Sequence, residues 1–416
     1  MTSKHYDIAI VGDSLTAQIV AALFAKQGNR VLFLSGTETK TPTWFHSSLF
    51  LEKILGIMGG RSCFVAQHPI QVISANSRLT VSNDIPLDEE LVREFGTSGP
   101  EVSNWLTALN EQGLRLEELF LENGGLPWSS FKAAALFKLR CMHRRVNMSE
   151  MEQPIADQLE RFSGPARIFL TDLLQGLSMT DVENLSAARA AILWAQARRP
   201  EDLNGPHFSQ TLGKRFDQFH GAKAQLSDLK SLEFVGSRWT GGQLESGGRF
   251  TADNFLLGDK HQVGLFKAGQ PIQIPCNRHF IAWKTDNLAG QLSRLLESRI
   301  ICGGQRPLRL AIEETEDGQQ GLILSSKEAT KDDIRQQMEP VLPFAKYQLS
   351  EIYADQAKTL TDDQRTALSL TSLPIRAGKN LYWADHTALL PEMGGAGAAL
   401  LAWTIFDSLS IMTKPD

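Results

Sequence analysis

Cysteine is scarce in this sequence: four residues in 416, Cys63, Cys141, Cys276 and Cys302, with no CxxC pair among them. That spacing gives no reason to expect a zinc cluster or a disulfide framework, and the expectation is a reducing, cytoplasmic setting. Excess positive charge is missing as well. The 42 Lys and Arg face 47 Asp and Glu, a net charge of −5, so no global basic field exists to hold nucleic acid. No apolar run reaches the ~18 residues needed to span a bilayer. The first such run is broken by Gly12 and Asp13 and lacks a small-residue cleavage site, so no secretory leader is expected. Repeats and low-complexity linkers are absent, and the histidines show no metal-ligand spacing, so no metal is expected. What remains is ordinary globular composition, 42% hydrophobic and 21% charged. A chain of this length holds two or three domains at roughly 150 residues each.

Residues Tyr6 to Ser35 read as one β-α-β unit. A short apolar run (Tyr6 to Val11) meets a tight Gly12-Asp13-Ser14 corner. A helical stretch with Leu15, Ile19, Ala22 and Leu23 on one face follows, then Gly28 and a second buried run, Val31 to Leu34. From about Thr41 to Asn204 the pattern is mainly helical. Within it, Lys132 to Arg145 gathers Lys132, Lys138, Arg140, His143, Arg144 and Arg145 around Ala, Leu and Phe. Such a stretch is either a solvated basic face or a helix for a membrane surface or an anionic ligand. After Gly205 come an amphipathic helix (Phe208 to Phe219) and three strand-like runs, Ser231 to Val235, Arg238 to Leu244 with a Gly241-Gly242 turn inside, and Arg249 to Leu257. Residues His261 to Leu342 read as a separate sheet with helices, including a hairpin at Glu316-Asp317-Gly318 and a helix from Lys331 to Val341. The chain closes with a strand, Asn380 to Asp385, a glycine-rich bend, and a helix from about Ala396 to Ser410.

In a dinucleotide-binding β-α-β unit the first glycine makes the turn, the second admits the pyrophosphate, and the third lets helix pack on strand. Here the corner reads Gly12-Asp13-Ser14-Leu15-Thr16-Ala17. Together with Gly248 to Leu257 and the closing run Asn380 to Asp385, Pro391-Glu392-Met393-Gly394-Gly395-Ala396-Gly397, the chain resembles the FAD-dependent oxidoreductases of the phytoene desaturase and flavin amine oxidase type. The resemblance implies an α/β fold: a Rossmann-like FAD-binding domain with a parallel sheet, from residues 1–40, 205–260 and 371–416. It also implies an α+β substrate domain inserted at 41–204 and 261–370. It implies FAD bound along Gly12, Asp13, Ser14, Ala17, Ser35, Asp385, Met393, Gly394, Gly395 and Ala396. The reaction implied is oxidation or desaturation of a largely apolar small molecule by hydride transfer to the flavin, without an assigned catalytic residue.

Three positions depart from that pattern. Ser14 stands where family members keep bare backbone, Ser35 where an acid accepts from the adenosine ribose, and Ala384 where glycine precedes the closing aspartate. Asp13 adds negative charge beside the diphosphate. The missing hydrogen bonds to charge weaken FAD binding by ~1–3 kcal/mol, and a cofactor-free relative acting as an interaction protein is the alternative. A further alternative reads Gly12-Asp13-Ser14-Leu15 as the nucleophile block of the GDSL esterases. Ser14 would attack, Asp217 and His220 would form the acid–base pair, and Asn83 would donate to the oxyanion. His46, between Phe45 and Ser47 and close to Trp44, is either a packed histidine or one that meets the flavin or substrate.

Overall fold

The computed structural model describes residues 4–36, 46–74, 76–82, 84–127, 131–266, 280–285, 297–304, 306, 308–315, 318–326, 329–340, 349–354, 370–371, 373–390 and 393–412. Asn83, Trp44, Phe45, Cys276, Pro391 and Glu392 lie outside them.

The first sheet is built from both ends of the chain. It runs β7 (Ala222–Gln225), β2 (Val31–Ser35), β1 (Lys4–Val11), β10 (Arg249–Leu257), β9 (Arg238–Leu244) and β8 (Leu229–Val235), with β16 (Leu381–Trp383) also on β10. The β7, β2, β1, β10 and β16 strands are parallel, and β9 and β8 add an antiparallel flap. Ile8, Ile10, Val11, Phe255, Leu256 and Leu257 are all buried, as parallel strands covered on both faces require. The helix Leu15–Lys26 covers one stretch of the sheet and packs against the closing helix Gly394–Met412, with Phe24 and Phe406 rings 5.1 Å apart.

The second sheet runs β15 (Leu349–Ala354), β11 (Phe280–Thr285), β14 (Gly318–Ser326), β13 (Leu308–Thr315), β12 (Arg299–Cys302), β4 (Ile70–Ile73) and β5 (Arg78–Val81). Its own small core gathers Trp283, Ile300, Leu310, Ile323 and, from the helix Lys331–Met338, Ile334 and Met338. Between the sheets lies a helical layer. Its helices Gly99–Glu122 and Ala187–Ala197 approach so closely that a Cβ on Gly113 would sit 2.1 Å from the Ala191 carbonyl oxygen. Trp194 Nε1 donates to Leu106 O at 2.9 Å across the same contact.

Two expectations need correction. The sheet expected from 261–342 is not separate, since β4 and β5 of the mainly helical 41–204 region enter it, while β3 (Phe64–Ala66) pairs with β6 (Glu201–Leu203). These strands have three or four residues, too few for an alternating pattern to emerge. Gly241-Gly242 is no turn but part of β9, because a Cβ on Gly241 would lie 2.1 Å from Phe250 O of the neighbouring strand. Among the described residues no helix is long and apolar enough to cross a membrane.

Candidate nucleotide site

The corner after β1 is an interlock of three small residues. Gly12 has φ of +103°, and a Cβ there would sit 2.6 Å from the Asp259 amide nitrogen. A Cβ on Gly258 would lie 2.6 Å from Ala17 Cβ and 2.7 Å from Gly12 O. Backbone and helix can therefore meet only if all three stay small, the roles of the first and third positions of a dinucleotide turn. Gly258 was not singled out from the sequence; its signal was its place directly after the strand that closes on β1.

Ser14 caps the first helix. Its Oγ accepts from Ala17 N at 3.2 Å and donates to Ala384 O at 2.7 Å, and its amide donates to Gly258 O at 3.0 Å. The hydroxyl is thus committed to the chain, and it ties together two residues 370 apart. No acidic residue occupies the first turn of this helix, so its N-terminal dipole faces the corner unopposed by its own side chains.

The Oδ2 of Asp13 lies 3.9 Å from where a Cβ on Gly36 would stand, so the carboxylate reaches toward the end of β2, next to Ser35. An acid is therefore present near the position where Ser35 lacks one.

At the end of β16, Asp385 is almost wholly buried. Its Oδ2 accepts from Lys260 N at 2.8 Å, and its Oδ1 accepts from Thr387 N at 2.9 Å and Thr387 Oγ1 at 2.8 Å. Burial pushes its carboxyl pKa up, against the charge of Lys260 and these bonds. Lys260, itself buried, follows β10 and brings a positive charge to the same corner. His386 was not singled out from the sequence as part of this site. Its Nδ1 lies 3.3 Å from Thr16 Oγ1, and burial, helped by the charge of Lys260, lowers its pKa to about 4. It is therefore neutral at pH 7 and adds no charge to the corner. Met393, Gly394, Gly395 and Ala396 are buried at the start of the closing helix, with Gly394 at φ +50°. Gly59, in left-handed conformation, ends the helix Leu49–Met58, and Gly60 leads into the short turn at Arg61.

The esterase constellation is not assembled. Ser14 Oγ donates to a carbonyl, Asp217 pairs with Lys223 at 2.6 Å, and His220 is exposed beyond the end of the helix Gly205–Gln218. His46 is a packed histidine: its Nδ1 meets Asp202 at 3.1 Å, and Asp202 also holds His68 and Arg299. Burial would raise the Asp202 pKa, but His46, Arg299 and the His68 amide hold it well below the usual carboxylate range. On the far side of the first sheet His5, Asp7 and Asp253 draw together, with Asp7 bonded to Arg30.

Searches against protein-family models and against curated proteins found no match. Solved structures do match. Cyclohexylamine oxidase from Brevibacterium oxydans IH-35A aligns with a TM-score of 0.55 at 13% identity, over 98% of this chain and 100% of that one. Putrescine oxidase bound to putrescine aligns at 0.59 and 11% identity, over 99% and 100%. A Rab GDI from Plasmodium falciparum aligns at 0.55 and 11%, over 96% and 98%.

The fold is theirs.

At these identities the likeness fixes the architecture over the full length and leaves the chemistry to the corner residues. Those residues fit a dinucleotide: an interlocked glycine turn, a helix N-terminus free of acids in its first turn, a buried lysine, and the Asp13 carboxylate reaching toward the end of β2.

Proposed function

We propose that the chain is an FAD-dependent oxidoreductase that oxidises or desaturates a largely apolar organic molecule. The observation that carries the reading is the bond from Ser14 to Ala384, which brings the first turn and the closing strand to one corner of a flavoprotein-type fold. When bound, FAD supplies a two-electron acceptor for a substrate C–H bond.

The chain's own residues provide the rest. The N-terminus of the helix Leu15–Lys26 and the buried Lys260 oppose the diphosphate charge. Asp13, in the corner after β1 with its carboxylate reaching toward Gly36, would accept from the adenosine ribose in place of Ser35. Asp385, fixed by Lys260 and Thr387, holds the closing strand end in register for the ribityl side. Gly394 and Gly395 would present bare backbone to the ring system. No side chain is assigned a proton-transfer step; orientation and exclusion of water are the protein's contribution.

The test is the visible spectrum of the purified protein, with thermal melting before and after added FAD. Flavin absorbance as isolated, or a melting point that rises with FAD and rises less in Lys260→Met, supports the reading. No absorbance and no shift overturns it. One observation favours a second reading, a cofactor-free scaffold: Ser14 and Asp385 satisfy their polar atoms within the chain, so the corner is held without a ligand. That reading expects both results negative.

A further inference from the structure

The basic helix Phe131–His143 presents an apolar stripe on the wrong side. Phe137 and Cys141 point inward, and the Phe137 ring stacks on Phe120 of the helix Gly99–Glu122 at 5.6 Å and 4°. Arg144, bonded to Glu118 and Glu122, and Arg140, bonded to Asn123, fasten the same side. The opposite side carries Leu136, Leu139 and Met142, exposed by 54%, 61% and 69%. These are three of the four most exposed large apolar side chains among the described residues.

Steps of three residues fall about 60° short of a full turn, so the three make one slanting ridge. Scattered single apolar residues on a surface need no explanation; a ridge of three on one helix does. Lys138 flanks the ridge, and His143 and Arg145 are exposed at its C-terminal end. No Asp or Glu occurs from 123 to 149, in a chain whose net charge is −5. An apolar ridge bordered by cations and free of acids is complementary to a bilayer surface, with the side chains among the acyl boundary and the cations at anionic headgroups.

We infer that this helix docks the protein on membrane surfaces that carry anionic lipid, lying in the interface without crossing it. The inference stands whether or not the corner binds FAD.

The test is flotation of the full chain with phosphatidylcholine vesicles, with and without phosphatidylserine, at low and high salt. Expected is at least tenfold more protein floating with the phosphatidylserine vesicles, falling as salt rises. Leu139→Glu with Met142→Glu should abolish flotation while leaving circular dichroism and melting unchanged, since both side chains are already in water. Lys138→Glu with Arg145→Glu should lower it by about fivefold or more per residue. The inference fails if the chain does not float at low salt, or if both variants float like the parent. It also fails if light scattering shows a dimer that Leu139→Glu dissolves, which would make a second copy the occupant.

Discussion

Ser14→Ala tests the corner most directly. The hydroxyl performs two separable tasks, capping the first helix through Ala17 N and satisfying the carbonyl of Ala384, a residue wholly removed from solvent. Loss of a serine cap costs about 1 kcal/mol. An acceptor left without its donor in a buried setting costs about 1–3 kcal/mol more, discounted here because Ser14 itself is only half-buried. The sum is about 2 kcal/mol, read as a lower urea midpoint at unchanged slope. Ser14→Gly should recover part of the cap loss, since glycine is a tolerable cap, but not the Ala384 bond. Ester hydrolysis should be absent in parent and variant alike. If Ser14→Ala melts in urea at the parent's midpoint, the tie between the chain ends carries no weight and the assembly of the corner must be explained by packing alone.

Two further outcomes follow from buried charge. Removing the Asp202 carboxylate (Asp202→Ala) strands Arg299 in the interior and should cost about 3–5 kcal/mol by denaturant titration. The depressed Asp202 pKa also means that its stabilisation is present above the unfolded value near 4 and is lost as pH falls below it; a variant whose acid limb matches the parent's would contradict that. His386 works from the other direction. Its folded pKa of about 4 against an unfolded value near 6.5 makes acidification favour the unfolded chain, by roughly 3 kcal/mol between those two pH values. His386→Gln should flatten that slope in urea midpoints measured from pH 7 to pH 4, and an unaltered slope would refute the assignment.

The readable parts of this fold are local. The β1 turn and helix announce themselves because an apolar run, a glycine corner and a helical stripe sit within thirty residues, and the closing strand and helix do so for the same reason. The unread parts depend on partners far along the chain. Nothing near Ile70 tells that it will pair in parallel with Arg299, and nothing near Gly241 shows that Phe250 O will crowd it. At the site the same division holds. Gly12, Ala17 and Asp385 were legible as types at fixed spacing. The direction of the Asp13 carboxylate, the commitment of the Ser14 hydroxyl, and the roles of Gly258, Lys260 and His386 depend on strand ends that only the folded sheet brings side by side.

The parallel pairing of β10 with both β1 and β16 has a consequence for how the chain is made. On an emerging polypeptide β1 has no neighbour on that flank until some two hundred and forty residues have followed, and β16 reaches β10 only some hundred and twenty residues after that. Contacts this distant in sequence are slow to close and leave open strand edges meanwhile. A nick in the middle of the gene product therefore cannot yield two self-sufficient halves. The N-terminal fragment would carry two inner strands of the first sheet and one edge of the second, the C-terminal fragment the remainder of both, and only co-expression of the pieces would restore either.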